Sequence, residues 1–404
     1  MPPKTEESEA MRVIGLMSGT SYDAVDAAAA DLQLVGDTLE LSPLGMLSEP
    51  YPDALRAALA AALPPAGTTM EDVCRLDTRI GQSFASLAAR ADRELCAGRA
   101  ELIASHGQTV YHWTDDGRVH GTLQIGRPAW IAEATGRPVV SDLRARDVAA
   151  GGQGAPLVSI FDTLWLRGRP GAPVALNLGG IANITALPEG KDPIAFDTGP
   201  ANALIDAAVQ HLTNGRLDYD TGGALAARGS FSEHLLHRLL DEPYYAQPAP
   251  KTTGKELFHL PYLLAALAEC GPLPAEDVTA TVTLLTARTV ADAARSVGAS
   301  EVIASGGGTR NPTLMTLLRT ELGAIRLQTS DDLGLPAAAK EAYAFAVLGF
   351  LTAHGLPATA PSCTGARHPS VLGSITPGAG GLRLPSPPRT APERLVVKSS
   401  ADPS

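Results

Sequence analysis

Three loops of glycine and hydroxyl residues, and one carboxylate beside a strand end, are where this sequence can do chemistry. The segments Gly15-Leu16-Met17-Ser18-Gly19-Thr20-Ser21-Tyr22-Asp23 and Asn177-Leu178-Gly179-Gly180-Ile181 each link two apolar runs. Both read as β-hairpins, over residues 12–32 and 173–187, with turns richer in small residues than a connection needs. Glycine lets backbone N–H groups approach a ligand closely, and Ser18 to Ser21 add hydroxyls, which suits a phosphate cradle. Two such hairpins, one opening each half, suggest a duplicated domain with a cleft between the copies. A third loop, Ser305-Gly306-Gly307-Gly308-Thr309, joins an apolar run to a helix starting near Asn311-Pro312. There a flat ligand or a phosphate can sit against backbone. Asp197 closes the run Ile194-Ala195-Phe196 and opens a Thr-Gly-Pro turn. That is the C-terminal end of a strand, where α/β proteins place ligands. The alternative is an N-cap for a helix beginning near Pro200. Asp23 and Asp26 lie three residues apart, so on an extended strand they face opposite sides and cannot share a role without a bulge.

These residues need elements to hold them. Apolar runs of strand length alternate with alanine-rich stretches that predict helices near 52–63, 70–98, 200–212, 230–240, 260–269, 276–297, 311–321 and 338–354. The alternation argues for an α/β fold with mostly parallel strands. At about 150 residues per domain, 404 residues suit two domains. Hydrophobic residues at 45% and charged residues at 19% exclude a mostly disordered chain. Aromatic residues at 4% exclude a stacking platform for single-stranded nucleic acid. A net charge of −11 without a long basic run argues against a nucleic-acid or anionic-membrane surface. An anionic ligand must therefore be met locally, by a few arginines and backbone amides. Cys74, Cys96, Cys270 and Cys363 form no C-x-x-C pair, which fits a reduced compartment. Residues 1–10 lack the apolar core of a signal peptide, and no run approaches the ~18 apolar residues of a membrane span. A cytoplasmic protein is expected. Residues 1–10 and 381–404 read as poorly ordered tails.

Several familiar sites are absent. Thr253-Gly254-Lys255 lacks the earlier glycine of a P-loop, and no strand is followed by G-x-G-x-x-G. Gly15-Leu16-Met17-Ser18-Gly19 has the wrong spacing for a nucleophile elbow, and the H-R-D and D-F-G segments of protein kinases are missing. His106, His112 and His120 match no zinc-binding spacing.

The residues from Gly15 to Asp26 closely resemble the opening signature of the anhydro-N-acetylmuramic acid kinases. The resemblance continues through Ser105-His106-Gly107-Gln108-Thr109, Gln124-Ile125-Gly126 and the stretch Asp142 to Leu157. It takes in Asn177 to Thr185, Phe196-Asp197-Thr198-Gly199-Pro200, Gly306-Gly307-Gly308 and Thr364-Gly365-Ala366-Arg367, and so spans roughly residues 11–380. It implies an actin-like ATPase fold: two ribonuclease H-like domains with an interdomain nucleotide cleft. Residues 11–145 plus 340–380 would form domain I and residues 146–339 domain II. Two positions depart from the usual pattern, where Ala24 and Ala201 replace glycines. Each forbids comfortable positive φ and adds a methyl near the site.

The resemblance also implies a reaction. ATP, water and 1,6-anhydro-N-acetylmuramic acid would give N-acetylmuramic acid 6-phosphate and ADP, in peptidoglycan recycling. Nucleotide would meet Gly19, Thr20, Ser21, Tyr22, Asp23, Ala24, Val25 and Asp26, with Gly179, Gly180 and Gly306 to Gly308. Mg²⁺ would keep several waters and take Asp23 as its carboxylate. Asp197 would be the general base toward water, and Glu341 a second catalytic group in the sugar pocket. Arg144 and Arg146 share a face on extended chain, and Arg146 is the preferred fork for the lactyl carboxylate. His106, Thr109, Gln124, Gln153 and Asn202 would line the sugar. The family implies a homodimer. A plain amino-sugar kinase of the same fold, or a non-catalytic nucleotide switch, would carry many of the same motifs. Only the assigned reaction requires the anhydro sugar.

Overall fold

The computed structural model describes residues 9–19, 21–64, 66–254 and 256–398. The chain divides into two compact units. The first runs to Arg167 and resumes at Ala339; the second is Gly168–Ala338.

The first unit opens with β1 (Met11–Met17), β2 (Ala24–Val35) and β3 (Thr38–Pro50), an antiparallel meander. After helices Asp53–Ala62 and Met70–Cys96 come β4 (Leu102–Ser105), the two-stranded ribbon of β5 (Gln108–Asp115) and β6 (Arg118–Ile125), and β7 (Val139–Ser141). β4 runs parallel to β1, and β7 parallel to β4. The second unit repeats the plan with β8 (Pro173–Leu178), β9 (Ile181–Ala186), β10 (Ile194–Pro200), β11 (Glu301–Ser305) and β12 (Arg326–Thr329). Its order is β10-β9-β8-β11-β12, antiparallel on the hairpin side and parallel on the other. The first unit's order is β7-β4-β1-β2-β3, flanked by β13 (Ser374–Thr376) beside β7 and β14 (Arg394–Val397) beside β3. Each glycine-rich hairpin is thus the first hairpin of its sheet, as two like domains require.

Small residues decide the packing of the first sheet. Ala27 to Ala30 on β2 are fully buried, and the long helix Met70–Cys96, opened by a Thr69–Asp72 capping box, covers one face. On β1, a Cβ added to Gly15 would lie 1.9 Å from the carbonyl oxygen of Ala342 and 2.6 Å from the nitrogen of Ala346. Only glycine lets helix Lys340–Ala353 lie this close to the strand. In the second unit, helices Asn202–Leu212, Glu233–Leu240, Leu260–Cys270 and Ala275–Ser296 build a separate apolar cluster around Leu204, Leu235, Leu263 and Leu285.

Every expected helix is present within a few residues of its predicted place. Three readings differ. The sheets are mixed instead of mostly parallel, because each glycine-rich hairpin opens its sheet with antiparallel pairs. The segment 146–167 packs with the first unit instead of opening the second, because helix Ser159–Leu166 lies against β14 and helix Lys340–Ala353. The C-terminal stretch contains order that its Pro/Ser composition hides. Leu395 is buried, Arg394 Nε donates to Thr38 Oγ1 at 2.8 Å, and Lys398 pairs with Glu40 at 2.9 Å. Apolar residues at 395–397 can pair with an exposed edge whatever precedes them. Deleting residues 393–404 removes one buried leucine and a strand. That should cost about 2 kcal/mol and lower Tm by about 5 °C. An unchanged calorimetric Tm would show that β14 adds nothing.

Candidate functional site

In the first unit the β1–β2 turn is fixed by a buried hydroxyl. Ser18 Oγ lies 2.9 Å from Ala24 O and 2.7 Å from Gln108 Oε1, while Gln108 Nε2 donates to Gly19 O at 3.1 Å. Tyr22 takes φ +45° and its N–H closes the turn on Gly19 O. Positive φ therefore falls on Tyr22, and neither Ala24 nor Ala201 has it. Ser21 and Asp23 are exposed; Asp23 Oδ1 pairs with Arg56 at 2.6 Å. Val25 is buried in the core, and Asp26 stands on β2 opposite Met17. Thr20 lies outside the described residues. Among the described residues no three His, Cys, Asp or Glu side chains gather as a metal cage. One exposed carboxylate at a hairpin mouth suits a cation that keeps its waters and is held mainly by phosphate.

Behind this turn sits a charged cluster. His106 is buried; its Nδ1 faces Gly107 O at 2.8 Å and its Nε2 accepts from Arg144 Nε at 2.9 Å. Those partners assign the proton to Nδ1. Burial, and then the Arg144 charge, push the imidazole down to about 3, so it stays neutral. Arg144 also donates to Gly154 O at 2.6 Å; burial lowers it to about 10, opposed by Glu341 and Asp147, and it keeps its charge at neutral pH. Glu341 lies in the first turn of helix Lys340–Ala353, and burial raises its carboxyl above the ordinary range.

The expectation for the arginine pair is corrected. Residues 145–149 are helical, so Arg144 and Arg146 point to nearly opposite sides. Arg144 faces inward with His106, and Arg146 is exposed. Thr109 and Gln124 face each other across β5 and β6 at 3.1 Å, and Gln124 also donates to Thr122. Gln124 Oε1 is buried with no hydrogen-bond partner among the described residues. Gln153 meets the ribbon through its carbonyl, 3.0 Å from His112 Nε2.

In the second unit Asp197 stands inside β10, opposite Asn183, instead of at the strand's end. A bulge follows at once, between Asp197 and Gly199, and bulges re-aim side chains. The capping alternative fails: helix Asn202–Leu212 has Ala201 at its N-cap and no side-chain cap. Thr252 Oγ1 and Thr253 N both donate to Asp197 Oδ2 at 2.9 Å. Tyr244 Oη donates to the Asp197 carbonyl at 2.7 Å, and Lys251 Nζ holds the Tyr244 and Tyr245 carbonyls. Burial raises the Asp197 carboxyl above its ordinary value; the Thr253 and Thr252 bonds oppose this. Sequence reading misses Thr252, Thr253 and Tyr244. The Thr-Thr-Gly run is visible in the sequence, but nothing local ties it to Asp197.

The second hairpin and the triple-glycine loop meet at one place. The carbonyls of Gly179 and Gly180 accept from the amides of Asn202, Ala201 and Ala203, and Asn202 Nδ2 donates to Leu178 O at 3.1 Å. A Cβ on Gly306 would lie 2.5 Å from Asn177 Oδ1, and one on Gly308 2.6 Å from Leu178 Cβ. Gly307 is open on that side, with Asn202 Nδ2 nearest at 3.9 Å. Two of the three glycines thus serve packing, and one presents backbone. Gly308→Ala should cost about 1–3 kcal/mol by overpacking, while Gly307→Ala should melt like wild type. Equal melting temperatures for the two would remove this distinction.

A family model described as "Anhydro-N-acetylmuramic acid kinase" matches residues 11–378. A relative from Streptomyces avermitilis, an anhydro-N-acetylmuramic acid kinase, is 72% identical over 96% of this chain and 100% of its own length. Relatives with the same name from Rhodococcus erythropolis and Streptomyces coelicolor are 65% and 62% identical. These cover 94% and 96% of this chain, and 98% and 99% of their own.

Proposed function

From the premise that this chain belongs to the anhydro-N-acetylmuramic acid kinase family, we propose that it opens and phosphorylates 1,6-anhydro-N-acetylmuramic acid with ATP. The observation that carries the reading is Asp197: a half-buried carboxylate bonded by two threonines at Oδ2, oriented by a bulge and raised toward a useful basicity.

A water delivers its oxygen to C1 of the sugar as Asp197 takes one of its protons. The C1–O6 bond breaks, O6 forms a bond to the γ-phosphorus, and the bond from that phosphorus to the bridging oxygen of ATP breaks. The products are N-acetylmuramic acid 6-phosphate and ADP. Proton removal opposite the leaving oxygen follows the logic of inverting glycosidases. Phosphoryl transfer itself asks mainly for position and charge neutralisation. In the first unit, Gly19 to Asp26 contact the nucleotide phosphates, Val25 through its backbone. In the second, Gly179, Gly180 and the Gly306–Gly308 loop do so, with Gly307 the most open of the three. Asp23 would hold Mg²⁺, which would supply charge neutralisation at the phosphates. Glu341, His106, Thr109, Gln124, Gln153 and Asn202 line or order the sugar side. Arg146 is exposed and stays the proposed fork for the lactyl carboxylate, while Arg144 is committed to His106 and Gly154 inside the cluster.

The reading places the protein in the cytoplasm as a homodimer, consuming anhydro sugars released from peptidoglycan. No helix among the described residues is long and apolar enough to cross a membrane. The test is ADP release from Mg-ATP with the anhydro sugar, beside N-acetylmuramic acid itself. Release that requires the anhydro form supports the reading. Equal release with the open sugar points to a plain amino-sugar kinase, and none with either removes both.

A further inference from the structure

The first turn of helix Lys340–Ala353 carries two charged residues in succession, Lys340 and Glu341. Lys340 is 2% exposed, and its ammonium lies 2.6 Å from Asp162 Oδ1 on helix Ser159–Leu166 and 5.7 Å from the centre of the Trp165 ring. Lysine is almost never fully buried unless paired, and a buried pair is no more stabilising than a well-packed apolar pair. A reason other than stability is therefore needed for this pair, and the adjacent residue supplies one.

We propose that the Lys340–Asp162 pair is a positioning device for Glu341. It pins the first helical turn and supplies positive charge that favours the ionised form of Glu341. The turn is held from the other side by β1, where Gly15 receives the Ala342 carbonyl. The groups acting on Glu341 come from every side of this packing. Asp26 on β2 and Asp162 oppose its ionisation; Lys340 and Arg144 favour it, and of these Lys340 has the larger influence. Arg144 is partly committed elsewhere, since its Nε and Nη1 hold His106 and Gly154 and it also feels Asp147. His106, against Phe345 of the same helix, is neutral and contributes no charge.

The sign follows directly. Burial already raises the Glu341 carboxyl, and removing Lys340 removes the strongest opposing charge. The carboxylate would then be lost at a higher pH as the solution is acidified. This inference rests on the proposed catalytic place of Glu341. The informative variant is the double substitution Lys340→Met with Asp162→Asn, which keeps volume and strands no buried charge. Lys340→Met alone takes the ammonium away from a buried Asp162 and should lose folding stability, so it serves as the control for the pair.

Two midpoints are to be measured on the full chain: the acid limb of kcat/KM for sugar-dependent ADP release, and the titration of the ¹³C-labelled Glu341 carboxyl. The NMR signal is assigned by its loss in Glu341→Gln. Both midpoints should rise by about half a pH unit in the double variant, because the Lys340 charge outweighs the opposing Asp162 charge removed with it, an approximately threefold smaller ionised fraction below the midpoint. Midpoints that stay in place in a folded double variant overturn the proposal. If wild type releases no ADP, the functional reading fails, while the carboxyl titration still decides the role of the pair.

Discussion

Asp197→Asn should reduce sugar-dependent ADP release by about 10²–10⁴-fold, the usual contribution of a positioned general base. The amide still accepts from Thr252 and Thr253 at one oxygen, so the bulge and its hydrogen bonds survive. What disappears is the lone pair that takes the proton. Stability should not fall in parallel. The folded-state carboxyl is raised by burial above its unfolded value. Its charge therefore costs stability, and that cost appears as pH rises through the raised value and is full above it. Above that raised value the asparagine removes the cost, so Tm there should hold or rise slightly. In wild type the acid limb of kcat/KM, set by Asp197 and Glu341 together, should lie above the ordinary carboxylate range. A folded Asp197→Asn enzyme within tenfold of wild type would sink Asp197 as the base.

Gly15→Ala should be as damaging, by another route. The added methyl would stand 1.9 Å from a backbone oxygen and 2.6 Å from a backbone nitrogen of the same helix. Neither atom can rotate away, so strand or helix must move. Overpacking of this kind costs about 1–3 kcal/mol, occasionally more. In a unit of this size that lowers Tm by roughly 2–4 °C per kcal/mol. The helix carries Lys340 and Glu341 in its first turn, so its displacement moves the carboxylate and loosens the Asp162 pair. A misplacement of about 1 Å can cost about 10²-fold in rate. The same substitution at Gly19, whose Cβ would meet only Ser21 Oγ at 3.8 Å, is the internal comparison. Indistinguishable melting curves for wild type and Gly15→Ala would show that the packing is looser than described.

Much of this architecture is legible in the order of the residues. The glycine-rich hairpins, the strand that carries Asp197 and the long helices announce themselves through local composition and periodicity. Residues 200–212 and 338–354 read as helices because their apolar spacing is helical over more than two turns. The Arg144 and Arg146 face misleads because a short segment after a strand carries little periodicity, and extension and helix predict different partners for it. The strand Arg394–Val397 escapes notice because its Pro/Ser-rich approach outweighs the few apolar residues within it.

The sequence by itself determined the family and the duplicated α/β plan, and it singled out the two carboxylates proposed here for the chemistry, since each is written in contiguous residues. Only the tertiary structure decided how those carboxylates are held. Thr252 lies 55 residues from Asp197 along the chain, and Asp162 lies far upstream of Lys340. Such partners are joined by sheet register and helix packing, which no local pattern records. Burial, bulge and buried ion pair set what each carboxylate can do, and all three exist only once the chain has folded.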